Sequence, residues 1–184
     1  IHWGDLCKIT ISNDGHGKRG AYARYGYKEK KWLKTYNKIR ESGLKNISIQ
    51  TCWNVFNAQT ITDTAEFYWE NCRHKNGMLF GSLTPWYNIT TTPLMLSYVP
   101  ELRLKAIEQI EQLMRMNHKP QNWTPDLQKY HDYLHRWSEI NQSYSTNNTN
   151  NLISWYKGII ALDKKRNTNL CDTFPELTPL YDLG

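Results

Sequence analysis

The sequence predicts an α/β fold in which a parallel β-α-β-α-β unit is followed by C-terminal helices. Two alternating segments rich in β-branched residues, Lys8 to Ser12 and Ile47 to Cys52, have the period-two pattern of strands. Helical patterns separate these strands from each other and from a third short apolar run, and beyond Thr92 only helical patterns remain. Because short, right-handed helical crossovers join parallel strands, we expect three strand ends to meet at one edge. The chain then divides into an α/β core, 1–92, and a helical extension, 93–184.

The two helices of the predicted core have recognisable ends. The first spans 29–42, and Gly43 ends it as a C-cap. The second is predicted to begin with a capping box, in which Thr62 or Asp63 is the N-cap and Glu66 closes the box.

The third strand and the extension follow in order. Met78-Leu79-Phe80 is predicted to be the third strand, and 82–87 to be a loop. Further helices are expected from Pro100 to about Asn117, from the Thr124-Pro125 pair onward, and after a low-complexity loop over 141–151.

A turn rich in polar residues follows the first strand directly. Gly tolerates a positive φ, and Asn and Asp bond their own backbone, so Asn13 to Gly17 must turn. Ligands of open α/β sheets bind at this end of the strands. Polar side chains are concentrated there, from Ser12 and Asp14 in the turn to Arg24 shortly after it. The alternative interpretation is a plain β-α connection with solvated charges.

Ser12-Asn13-Asp14-Gly15 at a strand end, with Arg24 inside Tyr22-Ala23-Arg24-Tyr25-Gly26, resembles one part of the radical SAM superfamily. That part is the fourth strand and following loop of twitch-type members related to anaerobic sulfatase-maturing enzymes. A closing Leu162-Asp163 to Pro175-Glu176-Leu177 segment is also similar to short members of the superfamily. The resemblance implies an incomplete (βα)6-type half-barrel, of which this chain is the C-terminal half.

The resemblance also implies a cofactor and a site. S-adenosylmethionine (SAM) would be held by its carboxylate at Ser12 and Arg24, with Asp14 shaping the turn and Thr51 and Asn57 near the ribose or methionine. A radical SAM enzyme further needs a [4Fe–4S] cluster, usually bound by a CxxxCxxC loop, and an electron donor such as flavodoxin or ferredoxin. No such cysteine spacing occurs among the four cysteines of this sequence. The resemblance therefore implies either a piece of an enzyme acting on a peptide or another substrate, or a descendant that has lost the chemistry. In both cases we expect this chain to be inactive by itself.

Composition leaves a second class of function open. Five N-x-Ser/Thr sequons and four cysteines would suit a secreted or viral-surface glycoprotein domain with two disulfides and no catalysis. The first residue is Ile, and we interpret the N-terminus as cut. No apolar run is long enough to span a membrane and no secretory signal is visible, so we expect a cytoplasmic protein without a membrane partner.

Two further patterns have a plain structural interpretation. The net charge is +6, but the lysines over 28–45 lie opposite an apolar face, so we expect a solvated helix and no nucleic-acid partner. His131 and His135 stand four residues apart, a spacing that can bind metal on a helix. Because the sequence pattern offers no third ligand, we interpret both as structural or solvated and predict no metal site.

Overall fold

The computed structural model describes residues 8–44, 46–73, 81–85, 96, 98–117, 119–140 and 148–182. The strands are β1 (Lys8–Ser12), β2 (Asn46–Trp53) and β3 (Gly81–Pro85). The helices among them are α1 (Gly17–Ala23), α2 (Glu29–Glu41) and α3 (Ile61–Cys72). The helices that follow are α4 (Pro100–Arg115), α5 (Thr124–Ile140), α6 (Asn148–Arg166), α7 (Leu170–Thr173) and α8 (Thr178–Tyr181). Three-residue 3-10 turns lie at Gln121–Trp123 and Pro175–Leu177.

The three strands form one parallel sheet in the order β1-β2-β3. Ser12 of β1 lies opposite Gln50 of β2, and Cys52 of β2 lies opposite Thr84 of β3. Each pair of neighbouring strands is joined through helices, as parallel pairing requires. The α/β class and the parallel sheet are therefore as predicted.

The two faces of the sheet differ in polarity. On one face, Ile47, Ile49 and Trp53 of β2 are buried beneath the helices. On the other face, Thr10 and Ser12 of β1 are exposed and the alternate residues of β2 are only half-buried. The β2 residues on this face are Ser48, Gln50 and Cys52. The sheet thus has one polar, partly exposed face and one buried face that is mainly apolar, with Thr51 as its polar member in β2.

Helices from both halves of the sequence share one hydrophobic core. The rings of Trp53 in β2 and Tyr130 in α5 stack with centroids 4.6 Å apart. Tyr68 of α3 meets Trp123 edge to face at 6.2 Å. Aromatic pairs of this kind contribute about 0.5–1.5 kcal/mol beyond the area they bury. The extension is therefore packed onto the α/β part, while the boundary proposed at 92/93 stays a prediction.

The third strand lies later in the chain than predicted. β3 spans Gly81–Pro85, where a loop was expected, and Met78-Leu79-Phe80 falls outside the described residues. β3 ends at Pro85, and proline cannot donate to a strand ladder. In the described sheet β3 is an edge strand, and an edge strand accepts a proline whose nitrogen faces away from its neighbour.

The predicted helix boundaries are partly right. The first predicted helix and its glycine stop are confirmed, since α2 covers Glu29–Glu41 and Gly43 has φ +84°. The capping box is wrong: the N-cap of α3 is Thr60, which makes no side-chain cap bond. The hydroxyl of Thr62 instead donates to Gln109 Oε1 of α4 at 2.6 Å, so a tertiary contact takes the place of the local one.

The low-complexity loop is shorter than predicted, because α6 already begins at Asn148, while 141–147 lie outside the described residues. A run of Asn and Thr favours loops, but α6 continues into a segment whose Leu152 and Ile159 are buried in the core.

Among the described residues, no helix is both long and apolar enough to cross a membrane.

Candidate functional site

The loop between β1 and α1 is held in shape by two glycines. Gly15 has φ +155°, a backbone conformation that side chains other than glycine rarely adopt. Gly20 of α1 lies against it, so that a Cβ on Gly20 would be 2.6 Å from the Gly15 carbonyl oxygen. This contact brings α1 directly onto the loop. The residues between the two glycines are therefore presented at the carboxyl end of β1.

Asp14 connects the loop to the end of β2. Its Oδ1 accepts a hydrogen bond from the Cys52 backbone N–H at 2.8 Å, and its Oδ2 accepts one from Arg24 Nε at 2.6 Å. The Asp14 side chain is only 10% exposed, so both bonds are shielded from water. Asp14 therefore positions Arg24 relative to the end of β2, while its predicted role at a SAM site stays a prediction.

Arg24 keeps part of its guanidinium available. The side chain is 38% exposed, and its Nε is the atom that Asp14 binds. Its two Nη groups form no hydrogen bond with any residue that the structure describes. Ser12 lies two residues before Asp14, exposed at the carboxyl end of β1. The Ser12 hydroxyl and the two NH2 groups of the Arg24 guanidinium are thus available to an anionic ligand at the carboxyl edge of the sheet.

Thr51 and Asn57, the other two predicted site residues, are turned inward. The Thr51 hydroxyl is buried 3.0 Å from the Tyr68 hydroxyl, which itself donates to the Asn13 carbonyl at 2.8 Å. Asn57 is 4% exposed, and its Nδ2 donates to the carbonyls of Asp14 and Cys52 at 3.1 and 2.7 Å. Both side chains fix the edge of the sheet from within, and a contact of either with SAM stays a prediction.

A small cleft opens beside the loop, between α1 and α3. Its volume is about 20 Å³, enough for a water molecule but not for a nucleoside. The His16 ring stacks on Phe67 at 4.9 Å on this side of the loop. The cleft is lined by Asp14, Gly15, His16, Arg19, Ala23, Phe56, Asn57, Thr60, Asp63 and Thr64. A ligand as large as a nucleoside therefore does not fit within this cleft.

The C-terminal segment braces α1, which the sequence did not reveal. Arg19 of α1 pairs with both carboxylate oxygens of Glu176, and Arg19 Nη2 and Glu176 Oε2 are 3.0 Å apart. Arg166 of α6 donates to the Tyr22 carbonyl, near the end of α1, at 3.1 Å. The resemblance of this segment to short radical SAM proteins pointed to it, but did not indicate that it contacts Arg19 and Tyr22 of α1.

The cysteines that the structure describes do not form a cluster site. Cys52, Cys72 and Cys171 are free thiols, and no three cysteines come together in the described part of the chain. Burial raises the pKa of the Cys72 thiol to about 12, so this thiol remains protonated at neutral pH. Burial, and then the nearby Asp14 carboxylate, raise the pKa of Cys52. These residues do not fit the ligand set of a [4Fe–4S] cluster.

No protein-family model matches the chain, and no curated protein or solved structure matches it at a significant level. The geometry of the site therefore carries the functional conclusion.

Proposed function

We propose that this chain supplies the SAM-binding half of a radical SAM enzyme that modifies a peptide or another substrate. One observation carries the proposal. At the carboxyl edge of a parallel sheet, Asp14 holds Arg24 through Nε and leaves both Nη groups for a ligand, and Ser12 is exposed at the end of β1. An amino-acid carboxylate is an anion that such a guanidinium binds through two parallel bonds.

Each site residue has a role in this proposal. Arg24 and the Ser12 hydroxyl bind the SAM carboxylate, and Asp14 fixes the direction of the guanidinium. Thr51 and Asn57 hold the strand ends in place beneath the cofactor. If a cluster held by another segment reduced SAM by one electron, cleavage of the C–S bond would release methionine and supply a 5′-deoxyadenosyl radical able to take a hydrogen atom from the substrate.

The polar face of the sheet supports the half-barrel arrangement. In a (βα)6-type half-barrel one face of the sheet packs against helices and the other lines an interior that holds cofactor and substrate. Ile47, Ile49 and Trp53 fit the first role, and the alternate residues of β1 and β2 fit the second. The cluster would be bound by a separate CxxxCxxC segment and reduced by a flavodoxin or ferredoxin. Free thiols and a reduced cluster suit the cytoplasm.

The carboxylate contact is tested with a pair of ligands and a pair of variants. Isothermal titration calorimetry compares SAM with decarboxylated SAM, which lacks only the carboxylate. We expect the protein to bind SAM at least about tenfold more tightly, because each charge-assisted hydrogen bond contributes about 1.5–3 kcal/mol. Arg24→Gln should remove this difference by weakening SAM binding alone.

Arg136→Gln is the matched control, because it removes the same charge from an exposed position on α5. It should leave the preference for SAM unchanged. Equal binding of the two ligands by the unmodified protein, or no SAM binding at millimolar concentration, would rule out the proposed carboxylate site.

A further inference from the structure

Three potential metal ligands meet where α4 packs against α5. His131 Nε2 lies 3.2 Å from Glu111 Oε1 and 3.2 Å from His135 Nε2. One donor atom from each of the three residues lies within 4.8 Å of the other two. The two histidines are one turn apart on α5, and the carboxylate comes from α4. The third ligand that the sequence pattern did not offer is thus supplied by tertiary packing.

The backbone positions of these residues are fixed by the core. Ile110 and Leu113 flank Glu111 on α4 and are fully buried. Tyr130 and Leu134 on α5 are likewise buried beside the two histidines. The helix axes cannot separate without exposing this interface, whereas the side chains themselves remain partly exposed. Such a site is built on rigid elements and stays accessible to an ion from solvent.

Hydrogen bonds alone cannot satisfy all three side chains in this arrangement. A histidine nitrogen carries either one hydrogen or one lone pair. His131 Nε2 therefore cannot both donate a full hydrogen bond to Glu111 and make another with His135 at the same distance. An ion between the three atoms would satisfy all of them at once. Zinc bonds of 2.0–2.1 Å in a tetrahedral arrangement place neighbouring ligand atoms about 3.3 Å apart, close to the two 3.2 Å separations.

The surroundings also suit a metal-bound histidine. Asp132 Oδ1 lies 3.7 Å from His131 Nδ1, on the side of the ring away from Nε2. Gln128 Nε2 donates to the same Asp132 oxygen at 2.8 Å and so orients it. A carboxylate near the second ring nitrogen favours hydrogen on that nitrogen and a lone pair on Nε2. This is the form in which histidine binds a metal.

We propose that Glu111, His131 and His135 form a binding site for a divalent transition-metal ion, with zinc as the favoured ion. Two imidazoles and one carboxylate are a common zinc ligand set, and solvent completes the coordination. The ion joins α4 to α5 on the outside of the shared core. The site is independent of the SAM-binding edge, since it shares no residue with it.

Zinc titration of the full chain, followed by calorimetry, tests the site. We expect one zinc ion per chain, and at least tenfold weaker binding in both Glu111→Gln and His135→Gln. Glu108→Gln is the matched control, because Glu108 is exposed on the same helix one turn earlier. It should bind zinc as the unmodified protein does. Zinc should also raise the Tm of the unmodified protein but not that of His135→Gln.

Cobalt substitution distinguishes this site from binding at the free cysteines. The proposed ligands contain no sulfur, so the cobalt spectrum should show visible d–d bands without a thiolate charge-transfer band. A thiolate band, zinc affinity unchanged in Glu111→Gln and His135→Gln, or no saturable zinc binding would each overturn the proposal.

Discussion

At the scale of single residues, the contact between Gly20 and Gly15 determines the shape of the candidate site. A Cβ on Gly20 would be 2.6 Å from the Gly15 carbonyl oxygen, which is a backbone atom and cannot move aside as the end of a flexible side chain would. We expect Gly20→Ala to push α1 away from the loop and to lower the free energy of unfolding by about 1–3 kcal/mol, the usual cost of overpacking. Urea denaturation measures this change.

Gly158→Ala provides the comparison for that substitution. Gly158 is exposed on α6, and a Cβ there would meet no atom within 4 Å. Alanine has the higher helix propensity, so this variant should be more stable by about 0.5–1 kcal/mol. If the two substitutions changed stability equally, the close approach of α1 to the loop would not have the role assigned to it.

At the scale of elements, the ion pair between Arg19 of α1 and Glu176 ties the C-terminal segment to the site. The two side chains are 32% and 15% exposed, so water screens them only partly. Arg19 also lies over the Phe174 ring at 5.1 Å. We expect a coupling energy of about 1–2 kcal/mol, between that of exposed and of buried pairs.

A double-mutant cycle with Arg19→Gln and Glu176→Gln measures this coupling. The measured value should fall only slightly at high salt, because the pair is partly buried. A coupling energy near zero would show that this ion pair does not help to hold the C-terminal segment against α1.

Local patterns predicted the elements better than they predicted the contacts between them. We predicted β1, β2 and α2 correctly, because the period-two spacing of strands and the spacing of helices are local properties of the sequence. β3 and the N-terminus of α3 were missed because an edge position and the bond between Thr62 and Gln109 depend on the assembled fold. The same limit applies to the candidate site. The loop pattern singled out both Asp14 and Arg24, but it predicted neither their ion pair nor the Cys52 amide that completes the Asp14 contact.

At the scale of the whole molecule, the buried tyrosines make stability depend on pH in the alkaline range. Burial raises the pKa of Tyr36 and of Tyr27 from 10.0 to about 12. Below pH 10 both residues are protonated in the folded and the unfolded chain, so they cause no pH dependence. Between pH 10 and 12 the unfolded chain loses these protons while the folded one keeps them. Stability should therefore fall by roughly 1.4 kcal/mol per pH unit for each such residue.

Urea unfolding at a series of pH values above neutrality measures that slope. Tyr36→Phe should reduce the slope by about 1.4 kcal/mol per pH unit, which is the contribution of one proton. It should also lower stability at neutral pH, because the Tyr36 hydroxyl donates to the Cys72 carbonyl at 2.6 Å. An unchanged slope in this variant would mean that Tyr36 ionises as readily in the folded as in the unfolded chain.

The two bonds of Asp14 also imply an order of events during folding. A carboxylate leaves water at little cost only when its partners are already in position. One partner of Asp14 is the Cys52 amide, which reaches that position only after β2 has paired alongside β1. The loop after β1 should therefore close late, once both strands are paired, and Arg24 should acquire its fixed direction at that last step. The residues proposed to bind the ligand would then be the last part of this β-α-β unit to become ordered and the first to loosen.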